Sequence, residues 1–129
     1  MGMRWQPVGV WELVGYHEVG ADGSEAPGPL GTEPRGMLVY TADGHMTVSM
    51  MRGPGDASAG ETFMGYAGRW FLEGDRMTHR VAVSAHPHLV GTDQLREVRL
   101  DGQDLLLSGT ALIGGRPRNR RLRWRRVTR

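Results

Sequence analysis

The chain has 129 residues with 39% hydrophobic content, enough for one core over 1–129 and too little for a separate catalytic domain. It has no cysteine, which excludes disulfides and thiolate chemistry and makes a reducing cytoplasm the expected compartment. Net charge is only +2 although the pI is near 9.7, because all 16 basic side chains are arginine, and no apolar run is long enough to span a membrane.

Met1–Pro7 has no apolar stretch of the signal-peptide kind, so none is expected. With 20 glycines and 7 prolines the chain is rich in turns, which suits an all-β protein. The first strand is predicted over Val10–Val19, ended by Gly20–Ser24 and a Pro/Gly loop over Glu25–Pro34. Arg35–Thr41 and His45–Met51 read as a hairpin around Ala42-Asp43-Gly44, since Asp-Gly tolerates the positive φ such turns demand. Arg52–Gly60 is a small-residue loop, either a lid over a barrel mouth or a plain solvated loop. A short helical turn around Glu61–Gly65 is compatible with the composition. Tyr66–Glu73 and Arg76–Ala85 are joined by Gly74-Asp75, and His86–Gly91 is a loop. Thr92–Leu100 turns at Asp101-Gly102 into Gln103–Ile113, and Gly114–Pro117 leads into the last strand, Arg118–Thr128. No amphipathic run of helical length fits, so the expected fold is an eight-stranded antiparallel up-and-down β-barrel.

Side chains alternate between the faces of a strand, and the charged phase faces water. This places Trp11, Leu13, Gly15 and His17 inside on the first strand, and Met46, Val48 and Met50 on the third. Tyr66, Gly68, Trp70 and Leu72 follow, with Met77, His79, Val81 and Val83 on the next strand. Gln94, Arg96, Val98 and Leu100 face in opposite Glu97, Arg99 and Asp101, and Leu122 and Trp124 face in between Arg121, Arg123 and Arg125. Arg35–Thr41, with Tyr40, and Gln103–Ile113 cannot be phased this way, because apolar residues occupy both faces. The expected interior is apolar, with Tyr66, His79, Gln94, Arg96, His17 and Tyr40 as polar points, which is the usual make-up of a ligand site.

Gly9-Val10-Trp11 resembles the Gly-x-Trp opening of lipocalins. Trp11–Val14, Pro34–Met46, Gly65–Trp70, Met77–Val81 and Pro87–Arg96 are similar to the bacterial and fungal lipocalin-like domain family. The resemblance spans nearly the whole chain and implies a small single-domain barrel. Some members of that family are thought to be tailoring enzymes of secondary metabolism, so it implies function only by analogy of fold.

The residues themselves make His79 with Arg96 the chemical pair: His79 as general acid or base, Arg96 as the partner of a carboxylate or of a developing oxyanion. Tyr66 and Gln94 would orient a carbonyl, and Trp70, Tyr40, Met50, Val81, Trp124 and His17 would line the ligand site. The leading expectation is a cofactor-independent cyclase, isomerase or dehydratase acting on an apolar, polyketide-like metabolite. The alternative is a non-catalytic carrier or self-resistance protein in which the same polar groups only satisfy one another. His86-Pro87-His88 lacks the carboxylate or Cys that would complete a metal shell, so neither metal nor other cofactor is expected. The eight arginines of Arg116–Arg129 read as a solvated strand face, with no nucleic-acid or membrane partner; a homodimer stays open.

Overall fold

The computed structural model describes residues 6–56, 62–113 and 116–127. Among these residues nine strands form one antiparallel sheet: β1 (Gly9–Val19), β2 (Glu25–Pro27), β3 (Arg35–Tyr40), β4 (His45–Met51), β5 (Phe63–Glu73), β6 (Arg76–Ser84), β7 (Asp93–Asp101), β8 (Asp104–Ile113) and β9 (Arg116–Arg126). Each strand from β3 to β9 pairs with the next, and β1 pairs with both β3 and β9. The sheet thus closes into an eight-stranded up-and-down barrel and leaves no long edge unpaired. The short β2, which falls in the predicted Pro/Gly loop, extends the β3 side of β1 through His17↔Pro27 to Val19↔Glu25. One 3-10 turn, Pro87–Leu89, lies in the β6–β7 loop. Among the described residues no helix is long and apolar enough to cross a membrane.

The hairpins form where the sequence supplies the right turn residue. Gly44 has φ 91° and Gly102 has φ 64°, conformations that glycine adopts without steric cost. The predicted helical turn at Glu61–Gly65 is replaced by strand: β5 begins at Phe63, pairing with Met51, and Glu61 lies outside the described residues. Phe63, Met64 and Gly65 extend the alternation of β5, so pairing with β4 satisfies their backbone groups without a helix. Ala57–Gly60 of the proposed lid, Gly114-Gly115 of the last turn, and Thr128 also lie outside the described residues.

Alternation sets most of the interior. On β4, Met46, Val48 and Met50 are buried while the residues between them are exposed. On β3, Leu38 and Tyr40 point in and Met37 points out, which settles one strand that composition leaves open. On β8, Leu105 and Leu107 join the inner cluster; Leu106, on the opposite face, is also buried, its register partners being Arg99 and Arg123.

Two irregularities break the expected phases. The β1–β9 register slips between Leu13 and Gly15, so Tyr16 turns inward and His17 turns outward, its ring lying against Gly15. A second slip between Ala67 and Gly68 sets Gly68 opposite Val81 and Ala67 opposite Val83. Val83 is therefore 61% exposed instead of inside. An extra residue on one strand of a pair reverses the facing of everything beyond it. Leu100, expected inside, is exposed next to the Asp101-Gly102 turn, where the strand leaves the core.

One end of the barrel is sealed. The Trp11 indole N–H donates to Pro7 O at 2.9 Å. The Arg126 guanidinium stacks 4.2 Å from the centroid of the Trp11 ring and donates to Val8 O and Gln6 O. Trp11, Trp124, Leu105, Met77 and Tyr40 fill this end. The outward arginines of β9 are paired: Arg123 with Asp101 and Asp104 at 2.8 and 2.9 Å, and Arg125 with Asp104 at 3.0 Å.

Candidate functional site

Away from the sealed end, a cavity of about 1170 Å³ occupies the barrel. Its apolar wall comes from Leu38, Val48, Met50, Met64, Leu107, Leu122 and Trp124, and its polar wall from Tyr16, Tyr66, His79, Gln94, Arg96 and Arg120. His86, His88 and Leu89 from the β6–β7 loop stand at the mouth. A shallower depression of about 490 Å³ lies outside the barrel beside the Arg52–Asp56 ion pair.

His79 is the centre of the polar wall and is only 2% exposed. Its Nε2 lies 2.6 Å from the Tyr40 hydroxyl and its Nδ1 lies 2.6 Å from the Tyr66 hydroxyl. Burial, with the Arg96 charge adding to it, drives the His79 pKa down to about 3, so the ring is neutral at physiological pH and carries one proton. Tyr40 is fully buried, and among the described residues its hydroxyl has no acceptor other than His79. Tyr40 must therefore donate to Nε2; the opposite tautomer would strand a buried hydroxyl proton, at a cost of about 1–3 kcal/mol. Nδ1–H then donates to the Tyr66 oxygen, and the Tyr66 proton is left to point into the cavity. Burial pushes the Tyr66 pKa up to about 12, with Arg96 opposing the rise, so the hydroxyl stays protonated as a donor. The Tyr40 pKa is raised further for the same reason, desolvation.

Register brings the rest together. His79 pairs with Gln94 and Met77 with Arg96, which makes Arg96 the diagonal neighbour of His79. Gln94 donates to the Thr92 hydroxyl at 2.9 Å and lines the cavity. Arg96 also lines it, and its guanidinium donates to Leu95 O at 2.8 Å.

Of the residues expected at the site, His79, Arg96, Tyr66, Gln94, Met50 and Trp124 lie on the cavity wall. Tyr40 stands behind His79, and Trp70 packs edge-on against Tyr40 with its indole N–H bonded to Thr41 O, so neither lines the cavity. Val81 is buried in the wall outside it, and His17 is on the outer face because of the β1 slip.

Tyr16 and Arg120, both on the polar wall, escape the sequence reading. Tyr16 is hidden by the same slip. Arg120 is hidden among the tail arginines, although it shares the phase of Leu122 and Trp124, and that spacing marks it as inward. Arg120 donates to the Tyr16 hydroxyl at 3.0 Å. Among the described residues no three metal-ligating side chains converge; the His86 and His88 rings meet edge-on at 6.0 Å.

The sequence pattern of the family described as a lipocalin-like domain matches this chain in two overlapping segments, residues 8–56 and 53–127. No curated protein and no solved structure matches it.

Proposed function

The chain belongs to the lipocalin-like domain family, and from that premise we propose that its barrel binds an apolar small molecule and transforms it without a cofactor, as a cyclase, isomerase or dehydratase of a polyketide-like metabolite. The observation that carries this reading is the directed chain Tyr40–His79–Tyr66, which ends on a hydroxyl proton aimed into an apolar cavity beside Arg96. Such a donor, with a cation next to it, stabilises negative charge developing on a substrate oxygen, as enolisation, ring closure or loss of water requires. The roles differ from a simple histidine base. Both His79 nitrogens are occupied, so His79 positions Tyr66, Tyr66 meets the substrate, and Arg96 supports the charge. The apolar wall confines a flexible substrate near a reactive shape. A reducing cytoplasm suits a chain without cysteine.

The second reading is a carrier that binds without chemistry. It is favoured by the way His79 and its two tyrosines satisfy one another.

Native mass spectrometry of protein purified from its own cells would identify the bound compound, which is then returned to fresh protein. Wild type is expected to convert it to an isomer or a dehydrated product. Tyr66→Phe should slow conversion about 100-fold and shift Kd by no more than about tenfold, the most that one lost neutral hydrogen bond should cost. A compound recovered unchanged from wild type would overturn the catalytic reading and leave the carrier.

A further inference from the structure

We propose that the ligand is an organic acid, with an apolar body and a carboxylate or equivalent anionic end that docks on Arg120 and Tyr16. The inference rests on the reading of the barrel as a small-molecule container and specifies what that container selects.

Three observations converge. First, two of the residues lining one wall of the cavity carry donors without acceptors. Arg120 Nε and Trp124 Nε1 are both buried, and among the described residues neither has a hydrogen-bond partner. Both lie on the inner phase of β9 and on the cavity wall. The Tyr16 hydroxyl accepts from Arg120, which leaves its own proton unassigned. Buried donors are normally paired, so a cavity wall with spare donors is built for a ligand rich in acceptors.

Second, two half-buried arginines of the cavity wall, Arg96 and Arg120, form no ion pair among the described residues. The outward arginines Arg121, Arg123 and Arg125 of β9, and Arg118 further along its inner phase, all do. The carboxylates that share the lining, Asp75, Asp93 and Glu97, are at exposed positions, and Glu18, the register partner of Arg120, contacts Arg118 instead. A cation drawn partly out of water favours an anion beside it, and a ligand in the cavity can supply one.

Third, the backbone makes room. Gly109 on β8 pairs with Arg120 on β9, and the register of β7 with β8 brings Arg96 beside Gly109 from the other side. A Cβ at Gly109 would stand 2.9 Å from Arg96 Nη1 and 3.0 Å from its Cδ. The glycine therefore lets the Arg96 side chain lie over β8 at the position whose register partner is Arg120. A carboxylate accepts two parallel hydrogen bonds from a guanidinium, so either arginine can hold an acid group of the ligand.

The test uses two dyes that become fluorescent on apolar enclosure and differ only by an acid group: anilinonaphthalenesulfonate and its uncharged parent, N-phenylnaphthylamine. Wild type should bind the acid at least about tenfold more tightly, which corresponds to about 1.4 kcal/mol. Arg120→Gln should bring the ratio close to one while the parent dye binds as before. Arg121→Gln, the same loss of charge on the outer face, should leave the ratio unchanged. Dodecanoate should displace the bound dye and dodecanol should not. Equal binding of both dyes to wild type, or a ratio indifferent to Arg120→Gln, overturns the acid preference while leaving the container intact. If neither dye binds, both the acid preference and the container reading fall.

Discussion

His79 sits with both ring nitrogens engaged and is neutral down to about pH 3. In the unfolded chain the same imidazole titrates near its ordinary value of about 6.5. Below that value the unfolded state binds a proton that the native state refuses, so stability falls as pH falls. Between about pH 6.5 and 5 this one residue should remove about 1.5 kcal/mol. Urea titrations across that window should show the slope in wild type and a flatter profile in His79→Gln, whatever the variant loses in absolute stability. An unchanged slope would mean that His79 is protonated in the folded barrel. The window lies above the range of Asp93 and Asp104, whose carboxyls are held below their usual values by bonds from Arg80 and from Arg125 and Arg123. Their stabilising contribution is present above about pH 4 and is lost only below it.

At the level of elements, β4 and the Arg121–Arg125 stretch of β9 can be read directly, because charged or polar residues alternate there with apolar ones. His79 beside Arg96 is legible for the same reason: both phases are marked by charges on the opposite face. The reading fails at the bulges. Periodicity has no symbol for an inserted residue, so His17 and Val83 are assigned inward and Tyr16 is missed. Tyr40 as the partner of His79 is illegible for a different cause. The two residues lie 39 positions apart and meet only through closure of the barrel. The β5–β6 bulge gives its own test. A Cβ on Gly68 would collide with the backbone of Arg80 and Ala82, which cannot move aside as a side chain can. Gly68→Ala should destabilise the fold by about 1–3 kcal/mol, read as a lower urea midpoint with an unchanged m-value. A neutral result would mean that the bulge relaxes freely and does not fix the facing of β6.

For the whole molecule, the two ends of the barrel divide the work. The Trp11–Arg126 stack and the Trp11 indole bond to Pro7 O hold one end shut, and Trp11 does not line the cavity. The other end carries the cavity, its donors and the longer loops, so stability and recognition rest on largely separate residues.

A further consequence follows from the choice of arginine for every cation. The cavity is a fixed-charge receptor: its guanidiniums do not lose their protons, His79 does not gain one, and the Tyr66 hydroxyl keeps its own up to about pH 12. Among these groups none changes charge over the range from about pH 6 to about 9, which leaves the guest's own ionisation to vary inside the barrel. With the rim residues His86 and His88 replaced by Asn to silence the mouth, the affinity for a permanently ionised sulfonate should be flat across that range. The affinity for an acid that titrates inside that range should rise along that acid's own curve, while that of a carboxylate, ionised throughout it, should be flat. A bend in the sulfonate profile would reveal a protein group changing charge inside. With that control flat, the barrel becomes a pH electrode for its occupant: the midpoint of a binding curve would report the acid strength of the natural ligand before its structure is known.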